Sequence, residues 1–231
     1  MRRREAALRA EAIAGAALAV ALLVPGVMQA QEHPPGPVPL GLELYMPVPA
    51  DNPSSPERTA LGRRPFFDPV LSRDRTVSCA SCHRPEHRFA DTLARSRGVG
   101  GRRPARNTPS LLNVGYQGYF FWDGRVTSLE DQVVQPIAHP DEMGLPLGGA
   151  VARLAADERY RAAFARASGD APTEAHLARA LASYVRSLRS GGSAADRYAA
   201  GDTAALGPLA REGRRIFLGR GRCAACHGGP L

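Results

Sequence analysis

The strongest hydrophobic periodicity of the chain lies in its second half. Large apolar residues recur there at the three- and four-residue spacing of one helical face, at Leu177, Leu181, Tyr184, Val185 and Leu188. The pattern predicts an amphipathic helix over 174–189. Thr173 is a suitable N-cap, and Gly191 with Gly192 would end the helix.

Shorter helices are predicted on both sides of this segment. They cover 57–67, about 128–135, 148–156, 157–167 and 208–218. Ser54 or Ser55 would cap the first of them, just before Pro56. The sequence Thr127-Ser128-Leu129-Glu130 has the form of a capping box that opens the second, and Pro136 would stop it.

The remaining segments are predicted to be loops. A proline-rich arm over 31–56 should be extended, and 193–206 has the composition of a linker. A longer loop, rich in Gly and Arg, covers 84–106, and Asn107-Thr108-Pro109-Ser110 predicts a turn after it. A loop of that length without elements of its own is commonly functional.

All four cysteines of the chain lie in two copies of one motif. The copies are Cys79-Ala80-Ser81-Cys82-His83 and Cys223-Ala224-Ala225-Cys226-His227. Cys-x-x-Cys-His is the attachment signature of a c-type haem. Two thiols one helical turn apart can bond to the vinyl groups of one porphyrin edge, and the next histidine can ligate the iron. The sequence therefore predicts two covalently bound c-type haems, with His83 and His227 as iron ligands.

Two other uses of paired cysteines stay open at this point. Two Cys-x-x-Cys pairs can build a structural zinc site, although zinc does not require a histidine after each second cysteine. A thioredoxin-like redox pair would place one motif, not two, at a strand-to-helix turn. The histidine that follows both pairs favours haem.

Composition and charge restrict the partners. The 231 residues carry a formal net charge of +8, and all 30 basic residues are Arg. A basic chain can bind nucleic acid, but no aromatic-interleaved basic stretch is present, so no nucleic-acid partner is expected. Haem propionates and an acidic partner protein are the anions that we expect these arginines to meet.

The N-terminus has the pattern of an export signal. Arginines at positions 2–4 precede an apolar stretch over 12–24 that is short for a bilayer span. Cleavage after Ala30 would leave no stable membrane span. Met28, two positions before Ala30, is not the small residue expected at a cleavage site, so an uncleaved membrane anchor stays an alternative. Because c-type haem is attached outside the cytoplasm, we expect a periplasmic protein.

Five motifs in a fixed order carry a resemblance to a known family. They are Leu61-Gly62-Arg63-Arg64-Pro65-Phe66-Phe67-Asp68, Ser78-Cys79-Ala80-Ser81-Cys82-His83, Arg106-Asn107-Thr108-Pro109-Ser110-Leu111-Leu112-Asn113, Phe121-Trp122-Asp123-Gly124-Arg125 and Asp141-Glu142-Met143-Gly144. Together they resemble the bacterial di-haem cytochrome c peroxidases and the related MauG-type enzymes, from about Gly41 to the end of the chain.

The resemblance implies an all-α fold with two cytochrome c-like haem domains. On that basis, 1–30 is a signal peptide, 31–56 is the arm and 57–192 is the first, peroxidatic domain. The segment 193–231 is a linker with the start of the second, electron-transfer domain. Only four residues follow His227, so we expect the second domain to be truncated in this chain.

The resemblance also implies an activity. A di-haem peroxidase would reduce hydrogen peroxide to water at the His83 haem. Its electrons would come from a small donor protein, a c-type cytochrome or a cupredoxin, and enter at the His227 haem. A homodimer would be in keeping with the family. Two alternatives stay open: a MauG-like enzyme that oxidises a protein substrate, and a di-haem electron carrier, which would normally fill both axial positions of both irons.

Four residues match functional positions of the family. Glu142 is implied as the group that moves a proton between the peroxide oxygens, and Gln132 as the amide that orients peroxide. Trp122 is implied as an electron relay between the haems, and Asn107 as a ligand of one calcium ion. Without the resemblance, Glu142 would be interpreted as a solvated loop acid and Gln132 as an exposed helix residue. Trp122 would be a core anchor and Asn107 a turn residue.

The chain departs from the family at one position. Many members carry a histidine in the Gly-rich loop that closes the open side of the first haem, and counting back from Trp122 places Val99 there. Valine cannot ligate iron, so we expect the first haem to be open without prior reduction, as in the MauG-like branch. His87 is nearer to the first motif and could substitute. Surface positions are expected for His33, His139 and His176.

Overall fold

The computed structural model describes residues 37–42 and 46–228. These residues form helices and short 3₁₀ turns, and β-pairing among them is limited to two isolated bridges, Arg84 with Ala90 and Phe120 with Val126. The expected all-α fold is confirmed. The predicted signal peptide and the first residues of the arm lie outside the described ranges. No helix of the described part is long and apolar enough to cross a bilayer.

Eight α-helices follow one another in the described part of the chain. They are α1 Pro56–Phe67, α2 Cys79–Cys82, α3 Leu129–Ala138, α4 Leu147–Ala156, α5 Glu158–Ser168, α6 Glu174–Arg186, α7 Ala194–Ala199 and α8 Pro208–Leu218. The 3₁₀ turns are Pro69–Leu71, Pro85–His87, Val99–Gly101, Val114–Tyr116 and Cys223–Ala225. The predicted bounds of α1, α4, α5 and α8 agree with the structure to within about one residue.

The core is built around α6, whose apolar face packs on α1. Leu177, Leu181 and Val185 are buried, as the periodicity predicts. The two helices approach so closely that a Cβ atom on Gly62 would lie 1.8 Å from the carbonyl oxygen of Ala180. Only glycine permits this approach, so Gly62 sets the distance between the two helices.

An aromatic cluster connects this core to the turn that follows the first cysteine motif. Phe66 is buried, and its ring lies edge-on at 4.9 Å from Tyr184 and 6.2 Å from Phe89. Phe89 is the residue whose carbonyl oxygen is bonded to His83. The helical core therefore supports the first motif directly.

Side-chain caps test the predicted starts of three of the helices. Ser55 caps α1 and Thr173 caps α6, as predicted, each by accepting the backbone N–H three residues later. α3 differs from the prediction, because its cap is Ser128, which accepts the N–H of Asp131, and not Thr127. The predicted N-cap, Thr127, is therefore wrong, because the helix is capped one residue later.

Glu130, which that capping box would have turned back to the start of α3, forms a buried ion pair instead. Its two carboxylate oxygens accept hydrogen bonds at 2.7 Å from both terminal nitrogens of Arg186. Asn52, in the arm, donates a third at 2.6 Å. Burial raises the pKa of Glu130, but these donors outweigh it and hold the pKa below its ordinary value. The pair ties the arm to α3 and α6.

Pro136 lies inside α3 and does not end it, contrary to the prediction. The helix continues to Ala138. Proline lacks an N–H and so removes the helical hydrogen bond to the carbonyl of Gln132. The loop that follows supplies new partners, because Met143 donates to the carbonyl of Pro136 at 3.1 Å and Leu145 donates to that of Ile137 at 2.8 Å.

α6 ends at Arg186 and not at residue 189, because Asn113 holds the next residues in another conformation. The amide of Asn113 exchanges two hydrogen bonds of 2.8 Å with the backbone of Ser190. Its backbone N–H donates to the carbonyl of Leu188 at 2.8 Å. Leu188 stays buried, as the periodicity predicts.

Two segments predicted to be loops contain short elements. The loop over 84–106 includes the turns Pro85–His87 and Val99–Gly101. The linker-like stretch over 193–206 includes α7, which Ser193 opens with a capping box. In both cases the elements are a single turn or little more, too short for a periodic pattern to predict.

Candidate haem-binding site

The first cysteine motif forms one tight turn of helix. The side chains and backbones of Ser78 and Ser81 cap the start of α2, and the N–H of His83 donates to the carbonyl of Cys79 at 2.8 Å. Cys79 and Cys82 are free thiols. The two thiols and the histidine thus belong to one rigid turn, as attachment to one porphyrin edge requires.

His83 is oriented by its ring nitrogen Nδ1. This atom lies 2.9 Å from the carbonyl oxygen of Phe89, to which it can only donate. The neutral ring then keeps its lone pair on Nε2, which is the arrangement of a metal-ligating histidine with a second-shell carbonyl. Burial lowers the pKa of His83, although the Phe89 carbonyl opposes this, so the ring is neutral and ready to ligate at pH 7.

The thiols of the first motif are poor metal ligands in this environment. Burial raises the pKa of Cys79 to about 12 and also raises the pKa of Cys82. Zinc is bound by thiolates, and no group of three or more His, Cys, Asp or Glu side chains in the described ranges is arranged to hold a metal ion. The donor set at Cys79, Cys82 and His83 fits covalently attached haem better than zinc.

The second motif forms a 3₁₀ turn but shares one backbone hydrogen bond with the first. The N–H of His227 donates to the carbonyl of Cys223 at 2.9 Å, as in the first copy. Cys226 and His227 are exposed, and the imidazole ring lies 6.4 Å from the ring of Phe217 on α8. This donor set fits a second haem, and α8 positions it.

Glu142 lies on the loop after α3 and is half-buried. The N–H of Val99 donates to its carbonyl oxygen at 2.8 Å. Burial raises the pKa of its carboxyl, while His139 and Arg125 oppose the rise. Its charge also adds to the effect of burial on the pKa of the Cys79 thiol.

Gln132 is half-buried on α3, one residue before the buried Val133. The same helix leads into the Glu142 loop, and the N–H of Met143 returns to the carbonyl of Pro136 at 3.1 Å. The two predicted distal residues therefore come from adjoining segments. No hydrogen bond joins their side chains among the contacts of the described residues.

Trp122 and Asn107 contact each other on the surface. The indole Nε1 donates to the backbone carbonyl of Asn107 at 3.0 Å. Trp122 is 66% exposed in the described structure, so it is not the core anchor that its type alone predicts. The Asn107 amide nitrogen donates to the carbonyls of Leu93 and Ala94 at 3.3 Å, which leaves the amide oxygen as the atom that could meet a cation. Calcium binding by Asn107 stays a prediction.

Val99 is fully buried, in the turn Val99–Gly101. A Cβ atom on Gly144 would lie 3.2 Å from its Cγ2 atom, so the valine packs on the loop that carries Glu142. His87 and His139 are exposed, and His176 is partly buried with Nδ1 at 2.9 Å from the carbonyl of Ala171. His33 lies outside the described residues.

Two residues near the first motif were not predicted from the sequence. Asp91 is partly buried, and Ser96 is fully buried with its hydroxyl 2.5 Å from the Asp91 carboxylate. Both lie in the loop over 84–106, whose composition, rich in Gly and Arg, gave no reason to select them. An acid and a hydroxyl residue just after a haem motif are the signal that could have identified them.

Comparison with known proteins agrees with this donor set. The profile of the di-haem cytochrome c peroxidase family matches residues 56–204. The methylamine utilization protein MauG of Methylorubrum extorquens is 45% identical over 184 residues, which are 79% of this chain and 52% of that protein. The cytochrome c551 peroxidase of Nitrosomonas europaea is 34% identical over 189 residues, 81% of this chain and 56% of that protein.

Solved structures give the same likeness. A MauG-like protein associated with microbial copper homeostasis superposes with a TM-score of 0.74 at 34% identity, covering 81% of this chain and 56% of that one. The diheme peroxidase BthA of Burkholderia thailandensis gives a TM-score of 0.66 at 29% identity, with 85% and 56% covered. The chain thus spans about half the length of the relatives it matches.

Proposed function

The chain belongs to the di-haem cytochrome c peroxidase family, and we propose that it reduces hydrogen peroxide to water with electrons from a small donor protein. One observation carries this proposal: Glu142 is a half-buried carboxyl group of raised pKa on a loop that the backbone N–H of Val99 holds, and its charge acts on both thiols of the first motif. Cleavage of peroxide needs a proton carrier at this place, whereas transfer of an electron does not.

The residues of the two motifs would hold the two haems. Cys79 and Cys82 attach the first, and His83 ligates its iron through Nε2. Cys223, Cys226 and His227 do the same for the second. When bound, the first haem supplies the iron at which the O–O bond of peroxide is cleaved.

Glu142 supplies the proton transfer of the reaction. One peroxide, two protons and two electrons give two molecules of water. The Glu142 carboxylate removes a proton from one peroxide oxygen and returns it to the other, which leaves as water. A carboxyl whose pKa burial has moved towards neutrality can hold and release a proton in turn. The amide of Gln132 orients the peroxide by hydrogen bonds.

The remaining assignments concern electrons and ions. Trp122, exposed on the surface of the described part, would relay electrons towards the first haem site. The donor would be a small c-type cytochrome or a cupredoxin. The side-chain oxygen of Asn107 would bind one calcium ion.

Location and assembly follow from the same proposal. Haem attachment outside the cytoplasm and the export signal support a periplasmic protein, released by cleavage after Ala30. The domain bounds proposed are 57–192 for the peroxidatic domain and 193–231 for the start of the electron-transfer domain. A homodimer is proposed by analogy with the family alone.

A second function is supported by Val99. Its apolar side chain, buried where many family members carry a gating histidine, leaves the first site without that ligand, which favours a MauG-like enzyme that oxidises a protein substrate. The likeness to the methylamine utilization protein MauG supports the same alternative. The two functions differ in whether peroxide consumption requires a small electron donor.

One experiment distinguishes these functions. The absorption spectrum of the oxidised holoprotein is recorded before and after one equivalent of peroxide, and a reduced small c-type cytochrome is then added. A peroxidase changes its spectrum with peroxide and oxidises about two donor equivalents for each peroxide, as the electron balance requires. A spectral change without donor turnover supports the MauG-like function, and a spectrum indifferent to peroxide supports an electron carrier.

The role of Glu142 has a matched control in its neighbour. Glu142→Gln should slow the reaction with peroxide by about 10²–10⁴-fold, the usual contribution of a general acid–base group. Asp141→Asn removes an acid that is paired with Arg102 at 3.6 Å and should change the rate far less, since its charge only adds to the raised pKa of Glu142. Equal rates for both variants would remove Glu142 from the mechanism.

A further inference from the structure

A buried serine holds a carboxylate next to the first cysteine motif. Ser96 is 1% exposed, and its Oγ donates to Oδ2 of Asp91 at 2.5 Å. Because that donation uses the one hydroxyl hydrogen of Ser96, the Thr108 hydroxyl, 2.6 Å away, must donate to Ser96. The N–H of Leu93 donates to Oδ1 of Asp91 at 3.2 Å. Both carboxylate oxygens are therefore held by the fold.

A short closed turn brings this carboxylate to the histidine. The N–H of Phe89 donates to the carbonyl of Arg84 at 2.8 Å, and the N–H of Arg84 donates to the carbonyl of Ala90 at 3.1 Å. These bonds bring residues 89–91 beside His83, whose Nδ1 donates to Phe89. Asp91 thus comes two residues after the carbonyl that orients the histidine.

The charge of Asp91 acts on both functional groups of the motif. Burial lowers the pKa of His83, and the Asp91 carboxylate acts in the opposite direction. Burial raises the pKa of the Cys82 thiol, Ser96 acts to lower it, and Asp91 raises it further. The carboxylate follows directly on the closed turn whose Phe89 carbonyl contacts His83.

One arginine acts on the charge of Asp91. Arg84 is the cation that acts on both Asp91 and Cys82, but its Nε is directed to the carbonyl of Ser81 at 3.4 Å. Glu142 is a second negative charge that acts on Cys82. Burial raises the pKa of Asp91, but the bonds from Ser96 and the backbone outweigh it, so the group stays ionised.

We propose that Asp91 is a positioning residue of the first haem site, where its fixed negative charge on the histidine side favours ferric over ferrous iron, and that Ser96 keeps the charge in place. A negative charge near the iron stabilises the more positive oxidation state and so lowers the reduction potential. The inference rests on the haem assignment of the proposed function. It does not depend on the reaction with peroxide.

The test is a potentiometric titration of the holoprotein with dithionite, followed by visible absorption. Asp91→Asn should make reduction of the first haem about three times more favourable, a rise of about 28 mV for a one-electron couple. Asp91→Glu should restore most of the wild-type potential. The second haem, on His227, is the internal reference, and its potential should not change.

Asp74 provides a matched control. Its carboxylate also accepts two hydrogen bonds in a local turn, from the N–H of Thr76 at 3.1 Å and from its hydroxyl at 2.6 Å, but on the exposed surface. Asp74→Asn should leave both potentials unchanged. An Asp91→Asn potential equal to that of Asp74→Asn, or an Asp91→Glu potential shifted as far as that of Asp91→Asn, overturns the proposal.

Ser96→Ala tests the same inference without removing the charge. The carboxylate loses its buried hydrogen bond, so the potential should rise in the same direction by a smaller amount. If Asp91→Asn does not fold, this variant decides alone, and an unchanged potential overturns the proposal. Mass spectrometry of the wild type reports separately whether haem is bound at Cys79 and Cys82, and so a failure of the haem assignment is seen before any potential is compared.

Discussion

The backbone N–H of Val99 donates to the carbonyl oxygen of Glu142 at 2.8 Å. The segment that lacks a gating histidine therefore holds the loop of the candidate proton carrier. The two segments also approach closely at the preceding residues, because a Cβ atom on Gly98 would lie 2.0 Å from the carbonyl oxygen of Asp141. The position of Glu142 depends on a contact that only glycine permits at residue 98.

Gly98→Ala should displace the Glu142 loop. The added methyl group collides with backbone, which cannot move aside as a side chain could, so we expect a loss of about 1–3 kcal/mol in the free energy of unfolding. The reaction with peroxide should also slow, since the carboxyl group moves with the loop. Urea denaturation and stopped-flow absorption measure the two effects.

Gly118→Ala is the control for that variant. No atom lies within 4 Å of the Cβ position at Gly118, which is exposed. Both measurements should match the wild type. A Gly98→Ala protein with wild-type stability and rate would show that the close contact does not hold the loop.

The oxidised protein should bind cyanide without prior reduction. Val99 cannot ligate iron, and its buried side chain is packed against Gly144, so this turn does not supply a closing ligand. Mixing the ferric holoprotein with cyanide should give a full spectral change at the first haem. Binding that begins only after one-electron reduction would mean that another residue, such as His87, closes the site.

The helical part of the fold could be predicted because its signals are local. The apolar positions from Leu177 to Leu188 and the caps Ser55 and Thr173 are set by neighbours in sequence, and they predict the main helix and its start. The end of that helix could not be predicted. It is decided by Asn113, a residue from a distant loop that bonds to Ser190.

The candidate site divides in the same way. The candidate haem ligands follow from the spacing of one motif, and His83 is oriented by a carbonyl only six residues away, at Phe89. The environment of Glu142 depends on a turn more than forty residues earlier in the chain, around Val99. Asp91 and Ser96 carry no motif, and only the fold shows that they lie next to the first motif.

Glu142→Gln should change stability with a defined pH dependence. Burial raises the pKa of Glu142 above its ordinary value of 4.5, so the unfolded chain loses this proton at a lower pH than the folded one. The wild type therefore loses stability as the pH rises from the ordinary value through the raised one. Glutamine does not titrate, so the variant should be the more stable protein at neutral pH and should lose that advantage below about pH 4.

Melting temperatures across the pH range measure this difference. Asp141→Asn, at the neighbouring and more exposed acid, should show no comparable window. A Glu142→Gln protein that melts below the wild type at pH 7 would mean that the carboxylate is stabilised by its neighbours His139 and Arg125 more than burial disfavours it.

Trp122→Phe should slow donor-dependent turnover and leave peroxide binding intact. Phenylalanine keeps an aromatic ring but is much harder to oxidise than indole, so a relay through this position would slow by roughly tenfold, about 1.4 kcal/mol in barrier. Tyr119→Phe is the control, since Tyr119 is similarly exposed at 70% against 66%. Equal donor-dependent rates for the two variants would argue against a relay at Trp122.

The ion pair of Glu130 and Arg186 should contribute much more to stability than an exposed pair. Arg186→Met leaves the carboxylate buried without its bidentate partner, so we expect a loss of about 3–5 kcal/mol in the free energy of unfolding. Replacing both partners, by Glu130→Leu with Arg186→Met, removes the uncompensated charge and should recover most of the lost free energy of unfolding. Asp51→Asn breaks the exposed pair with Arg179 and should cost at most about 1 kcal/mol.

Acid should weaken the same pair in the wild type. The folded pKa of Glu130 lies below its ordinary value of 4.5, so its contribution is complete above that value and is lost as the pH falls through the folded one. Urea denaturation at pH 7 and at lower pH measures both effects. The Arg186→Met protein should lack this acid-dependent loss, because its carboxylate has no guanidinium to hold the pKa down. If Arg186→Met is no less stable than the double variant, water replaces the guanidinium of Arg186 beside Glu130. The arm, which Asn52 bonds to Glu130, would then not exclude solvent from the carboxylate.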